Sequence, residues 1–269
     1  MSTTTPLAPG ARSGGSATPA VRKITAEDLS IALRQGLDDF NVKRGEILML
    51  AFIYPLVGLV ACVAAFNGNT VALAFPLAAG LSIMGPAVAS GYYEIAYRRE
   101  RGEDGTWFHF FDAWRGRSGL ALLMLTAGLL VLFTAWVATA WGIYEATLGR
   151  TAYAGLSDFL SRLFTTPAGW ALIVVGNLAG LVFAAVALAV SAVSFPMLID
   201  REVDALTAVR TSLGAVAASP AVFGRWGVMV AAFLVLGAIP LFIGLAVVLP
   251  VLGYATWHLY TRTVTRPQA

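Results

Sequence analysis

Proton transfer, metal binding and covalent catalysis each need particular side chains, and this chain supplies few of them. It has two histidines, His109 and His258, and a single cysteine, Cys62, inside an apolar run. A lone thiol forms no intrachain disulfide and has no second ligand beside it for a metal, so Cys62 reads as a packing residue. No phosphate loop, nucleophile triad or pair of catalytic carboxylates can be placed. An ion-coupled transporter usually carries carboxylates or bases near mid-membrane, and none is visible. Three groups stand out by position instead. Glu94 lies eight residues after Pro86 and His258 eight after Pro250; with Asp200 they fall at the inner ends of apolar runs. One reading makes Glu94, Asp200 and His258 a polar cluster at the inner mouth of a bundle. The plainer reading is interfacial polarity, with Glu94 paired to Arg98 at i,i+4. Asn177 is the one amide well inside an apolar run, and Gly176 and Gly180 flank it. Small residues let helices approach and an amide can hydrogen-bond across the contact. Gly176, Asn177 and Gly180 therefore read as a helix-packing contact, with a substrate contact as the functional alternative. No catalytic, cofactor-binding or metal-binding residue is assigned.

The elements that must position these residues are membrane helices. Of the 269 residues 58% are hydrophobic and only 12% charged, with mean hydropathy +0.76. Soluble domains carry about 25% charged residues, and several apolar runs reach the roughly 20 residues that cross a bilayer. The fold class is all-α: a polytopic membrane protein of six transmembrane helices arranged as three hairpins, with amphipathic interfacial helices. Expected spans are 47–66, 71–93, 120–143 and 168–199, followed by a hairpin within 226–260 that turns between Gly237 and Leu245. Pro76 and Pro86 predict a kink in the second span. The 32-residue fourth span is too long for a 30 Å core, so it tilts, bends at Pro196 or leaves the membrane. Sixteen of the 18 Lys and Arg fall on one side of this topology and two, Arg150 and Arg162, on the other. That asymmetry places both termini in the cytoplasm and also accounts for the basic loops, so no nucleic-acid partner is implied.

Residues 1–23 read as a disordered tail: 17 of the first 20 are Ser, Thr, Pro, Gly or Ala, too little apolar surface to offset ordering entropy. The membrane domain covers 24–262, and 263–269 form a short cytoplasmic tail. Three short amphipathic segments are expected at the inner interface. The first follows a capping-box-like Thr25 and Asp28, with Leu29, Leu33, Leu37 and Phe40 on one face. The second, residues 107–114, puts Trp107, Phe110, Phe111 and Trp114 on one face and His109, Asp112 and Arg115 elsewhere. The third, 206–216, carries a stripe of Leu206, Val209, Leu213 and Val216. Basic residues near Gly before the odd spans, with Pro86, Pro196 and Pro250 in the even ones, suggest a degenerate threefold repeat.

Four segments together carry a resemblance: F-P-L-A-A-G-L-S-I-M-G-P from Phe75, L-F-T-T-P-A-G-W from Leu163, S-F-P-M-L-I-D-R from Ser194, and V-L-P-V-L-G-Y-A-T-W-H-L-Y from Val248. Over residues 25–262 the chain resembles an uncharacterised family of bacterial integral membrane proteins, some of whose members are labelled cytochrome c oxidase subunits. The resemblance implies a six-helix membrane fold, residence in the bacterial inner (plasma) membrane and little chemistry. Tyr254 stands where the family pattern has a histidine. Two histidines and no Cys-x-x-Cys-His motif cannot hold the two haems and copper of a catalytic oxidase subunit. The leading reading is a non-catalytic assembly, scaffold or accessory subunit near a respiratory complex, with no cofactor and with membrane lipid and other membrane subunits as partners. A transporter or channel for an apolar or lipid-like molecule, and a haem-binding redox accessory subunit, are the alternatives.

The topology makes a direct prediction. Reporter fusions at Asn69 and Gly155 report an external location and fusions at Gly102 and Ser212 an internal one; an internal signal at Gly155 defeats the six-span arrangement.

Overall fold

The computed structural model describes residues 19–42, 56, 76–80, 82–116, 118–149, 155–240 and 242–266. The expected first span apart from Leu56, the turn at Asn67–Asn69, Cys62, the start of the second span and the first 18 residues of the expected tail lie outside the described residues.

What is described is helical, with one isolated antiparallel bridge between Val21 and Val264. In chain order the helices are α1 (Ala26–Val42), α2 (Gly85–Glu100), α3 (Gly119–Thr147), α4 (Leu156–Thr165), α5 (Pro167–Ser191), α6 (Ser194–Asp200), α7 (Ala205–Ala218), α8 (Pro220–Ala238) and α9 (Leu245–Thr263). Two 3-10 segments, Ser82–Met84 and Trp107–Trp114, sit before and after α2. Among the described residues three stretches are long and apolar enough to cross a membrane: Gly119–Thr147, Pro167–Asp200 and Pro220–Ala238.

Local rules place the ends of these helices. Thr25 and Asp28 form a reciprocal cap: the Asp28 N–H donates to Thr25 Oγ1 at 3.3 Å and the Thr25 N–H to Asp28 Oδ2 at 2.9 Å. Asp thus performs the role usually given to Glu. Thr166 caps α5 through the Gly169 N–H, with Pro167 in the first turn, where a missing N–H costs nothing. Asp204 caps α7 through the Thr207 N–H at 2.8 Å. Pro86 stands in the first turn of α2, and the helical path from residues 76–80 is broken by the 3-10 turn before it. The expected kink is therefore a helix restart. The last apolar run resolves into α8 and α9; Gly237 lies against the backbone of Gly244, and Phe242 takes a left-handed φ of 66° in the turn between them. Proline plays unlike parts in the three even positions. Pro86 and Pro196 stand in first turns, whereas Pro250 is inside α9.

The long fourth apolar stretch breaks at Ala192–Val193, one turn before Pro196. Proline lacks the N–H that would bond the carbonyl four residues back, and its ring crowds that carbonyl, which here belongs to Ala192. A second cause comes from α7. An unbroken helix would bond the Val193 N–H to Ala189 O. Instead Ser212 Oγ accepts from Val193 N at 3.2 Å and donates to Ala189 O at 2.7 Å. A side-chain hydroxyl inserted into the helical ladder is a known cause of sharp bends.

The three short amphipathic segments pack along faces that differ in part from the expected stripes. α1 does not lie free in the headgroup plane: Leu29, Ala32, Gly36 and Phe40 are buried while Leu37 is exposed. It packs along α9, where a Cβ at Gly36 would come within 2.5 Å of Ala255 N. Ala32 and Gly36 share that face with Leu29 and Phe40, because small residues permit the close backbone approach. α7 buries Ala208, Thr211, Ser212 and Ala215, and of its expected stripe Leu206 (57% exposed) and Leu213 (45%) face outward, as a stripe turned to the membrane surface would. The aromatic segment is a 3-10 helix, so its faces repeat every three residues: Phe110 and Ala113 are buried, and Phe108 and Phe111 are exposed. Residues 19–23, expected in the disordered tail, are held instead. Arg22 N donates to Thr263 O and Thr265 N to Ala20 O.

Ser212→Ala leaves two buried backbone groups without their partner, at a cost of about 1–3 kcal/mol. The expected outcome is a lower Tm in detergent and an altered distance between spin labels at Val175 and Ile199, both restored by Ser212→Thr. An unchanged melt and distance for Ser212→Ala reject the inserted hydroxyl as the cause of the bend.

Candidate functional site

The polar side chains gather at one end of the bundle, where α2, α6 and α9 end and α1 crosses. Buried charge is tolerated only where partners replace water, and the pairings here run across elements. Arg98 on α2 donates to Glu94 Oε1 at 2.7 Å, the expected i,i+4 pair, and also reaches Asp112 Oδ2 at 3.2 Å. His109 Nδ1 meets the same Asp112 oxygen at 2.7 Å. This hydrogen bond, with the charges of Arg98 and Arg115 beside it, holds the Asp112 carboxyl below the usual carboxylate value.

A second group is built on α9. His258 Nε2 lies 2.7 Å from Asp39 Oδ2 on α1, and Arg99 Nη1 lies 3.2 Å from Asp39 Oδ1. Trp257 Nε1 donates to Glu100 Oε1 at 2.9 Å, and the Tyr260 hydroxyl donates to Asp200 Oδ2 at 2.6 Å. Arg266 joins both carboxylates, at 2.6 Å to Glu100 and 3.1 Å to Asp200, with its guanidinium 5.2 Å from the Trp257 ring. One arginine thus ties α2, α6 and α9 by two charge-assisted hydrogen bonds and a cation–π contact. A third group links the chain ends: Arg22 donates to Asp28 at 2.8 Å and to Arg262 O at 2.9 Å.

A cavity of about 400 Å³ opens between α2, the aromatic 3-10 helix and the end of α6. Glu94 and Asp200 both line it, together with Arg98, Asp112, Arg115 and Arg201. His258 is not in its wall; its partner is Asp39. The three polar residues singled out by position therefore divide between the cavity and the α1–α9 contact. Arg266, Asp39 and Glu100 carried no signal in the sequence, because the partners named above lie 60 to 219 residues away. The remaining candidates lie elsewhere, on α5. A Cβ at Gly180 would come 3.2 Å from Trp136 Cη2, whereas one at Gly176 meets nothing within 4 Å. Asn177 is exposed and its amide donates to Ile173 O at 2.7 Å within its own helix. Among the described residues no group of three or more His, Cys, Asp or Glu is arranged to hold a metal ion.

Long apolar helices joined to a charge-paired polar end define a helical integral membrane protein. Residues 74–200 match the model of a family described as a predicted integral membrane protein (DUF2189), in keeping with the uncharacterised membrane family read from the sequence. The match spans a little under half of the chain and takes in the motifs from Phe75, Leu163 and, up to Asp200, Ser194; the Val248 motif lies beyond it. No curated protein and no solved structure matches the chain.

The Asp28 contact carries a pH dependence. Burial raises this carboxyl, but the Thr25 N–H and the Arg22 guanidinium outweigh it and hold it below 3.8. A depressed folded value stabilises above the unfolded pKa and is lost as pH falls through the folded one. Hydrogen exchange should show α1 protected at pH 7 and loosened below the ordinary carboxylate range. Asp28→Asn should loosen α1 already at pH 7, by about 1–2 kcal/mol, and flatten the acid dependence. Equal protection of the variant and parent proteins at pH 7 rejects the role.

Proposed function

We propose that this protein is a non-catalytic assembly or accessory subunit of the bacterial inner membrane. In this reading it has six spans in three hairpins and both termini in the cytoplasm, and α5 is its face for another membrane protein. The observation that carries the reading is the exposed amide of Asn177. Almost none of the apolar window of α5 is buried in the chain, and lipid alone would suit Val174, Leu178 and Leu181 there. A carboxamide with a free carbonyl gains from a polar partner in hydrocarbon, and interhelical hydrogen bonds of this kind contribute about 0.6–2 kcal/mol. The open backbone at Gly176 leaves room for a close helix approach. The pairing of residues 20–22 with 263–265 puts both ends of the helical domain on one side, which supports an even number of spans. Association with a respiratory complex rests on the labels carried by some members of the resembling family.

A photo-crosslinker at Val174 or Leu181 in native membranes is expected to capture one discrete membrane protein, and Asn177→Leu to reduce that capture severalfold. Crosslinks to lipid alone reject the docking face. A visible spectrum of the purified protein tests the redox alternative, since a Soret band would establish haem.

A further inference from the structure

Helix α4 stands at the end of α5 remote from the ion-paired cluster: the 25 residues of Pro167–Ser191, about 37 Å of helix at 1.5 Å each, lie between. The ten residues of α4 divide into two sides at 100° per residue. Leu156, Phe159, Leu160, Leu163 and Phe164 fall within one arc, and Ser157, Asp158, Ser161, Arg162 and Thr165 fill the other. The protein covers only one edge of the apolar arc. Phe159 is buried and Leu163 half-buried, whereas Leu156 (44% exposed), Leu160 (39%) and Phe164 (56%) form an open stripe at i, i+4 and i+8. A helix this short is marginal in water, so its surroundings must support it.

The junction with α5 shows what those surroundings are. The last carbonyls of a helix have no partner within it and ordinarily turn to water. Here side chains take two of them up: the Thr166 hydroxyl donates to Arg162 O at 2.7 Å, and the Trp170 indole N–H donates to Phe164 O at 3.0 Å. Trp170 is 53% exposed, so with its one donor turned inward it presents only its apolar ring outward. Backbone groups satisfied from within the chain are what a position short of water requires. An indole at the mouth of a membrane span is also characteristic of the interface. The turn between the helices is tight, because a Cβ at Gly169 would strike the Leu163 carbonyl. The open stripe of α4 therefore continues through Phe164 to Trp170, and from there along α5 to Val174 and Leu178, both exposed. Charge is balanced on the polar side, where Arg162 lies 3.2 Å from Asp158 and the other three residues carry hydroxyls.

We propose that α4 lies flat in the headgroup boundary of the leaflet opposite the ion-paired end, with Leu156, Leu160 and Phe164 in the acyl region and the hydroxyl side in water. Its partner is the lipid surface itself, recognised by apolar area and not by headgroup charge. The inference rests on α5 crossing the bilayer and stands whether or not the Asn177 face of that helix docks a protein.

Electron paramagnetic resonance tests this in the reconstituted full chain carrying Cys62→Ala, with single nitroxide labels at Leu156, Leu160, Phe164, Ser157 and Ser161. All five positions are exposed, so a label leaves the packed edge of α4 in place. Oxygen and a water-soluble nickel chelate serve as relaxants. In phosphatidylcholine vesicles the oxygen-to-nickel accessibility ratio is expected to be severalfold higher at Leu156, Leu160 and Phe164 than at the two serines, with the three apolar positions about 5–10 Å below the headgroups. Added phosphatidylglycerol should leave the ratios unchanged. Equal access of nickel to all five positions places the helix in water and overturns the proposal. Exclusion of both relaxants from the three apolar positions shows a cover of protein, a second copy of the chain, and overturns the lipid partner. A difference between the two sides that arises only with phosphatidylglycerol overturns recognition by apolar area.

Discussion

The close approach of Gly36 to Ala255 sets the terms for much of the polar end. With the α1 backbone against that of α9, Asp39 on the next turn reaches both His258 and Arg99. A side chain at position 36 would push the two helices apart and strand a carboxylate and a guanidinium in a largely water-free contact. The same logic recurs at Gly253, where a Cβ would meet Tyr92 at 2.9 Å. Small residues on α9 thus bring α1 and α2 in from two sides. In the C-terminal half of α9, Tyr254, Trp257 and Tyr260 are fully enclosed.

Around that core the molecule divides into two regimes. Toward the membrane, α3, α5 and α8 expose leucine and valine that only hydrocarbon or another apolar surface can cover. Toward the water, burial is purchased with ion pairs, and a buried pair is weak evidence for stability because desolvation opposes it. Arg266 shows what such pairs contribute instead: its two carboxylates and two aromatic rings come from three helices and fix their register. Ser212 acts likewise at a neutral site, where one hydroxyl serves both ends of a broken helical bond between α5 and α6.

The cavity joins these regimes. Its walls are polar and belong to the ion-paired end, yet it opens at the level where two membrane helices begin and end.

Several features were legible in the sequence by itself. Length and hydropathy mark the apolar helices, since the bilayer imposes a length that composition must meet. Thr25 with Asp28 announces a helix start, because capping is local chemistry within four residues. The Glu94–Arg98 pair follows from helical spacing alone. Tertiary structure decided the rest. It set Ala32 and Gly36 beside Leu29 and Phe40 on the buried face of α1, because the α9 backbone comes close there, and it turned Ala208, Ser212 and Ala215 of α7 inward. It wound residues 107–114 at three per turn, which exchanged Phe111 for Ala113 on the buried face. It also paired Asp39 with His258 across 219 residues and Glu100 with Arg266 across 166. Charges separated by such distances along the chain carry no periodic signal; only the packing of α1, α2 and α9 brings them together.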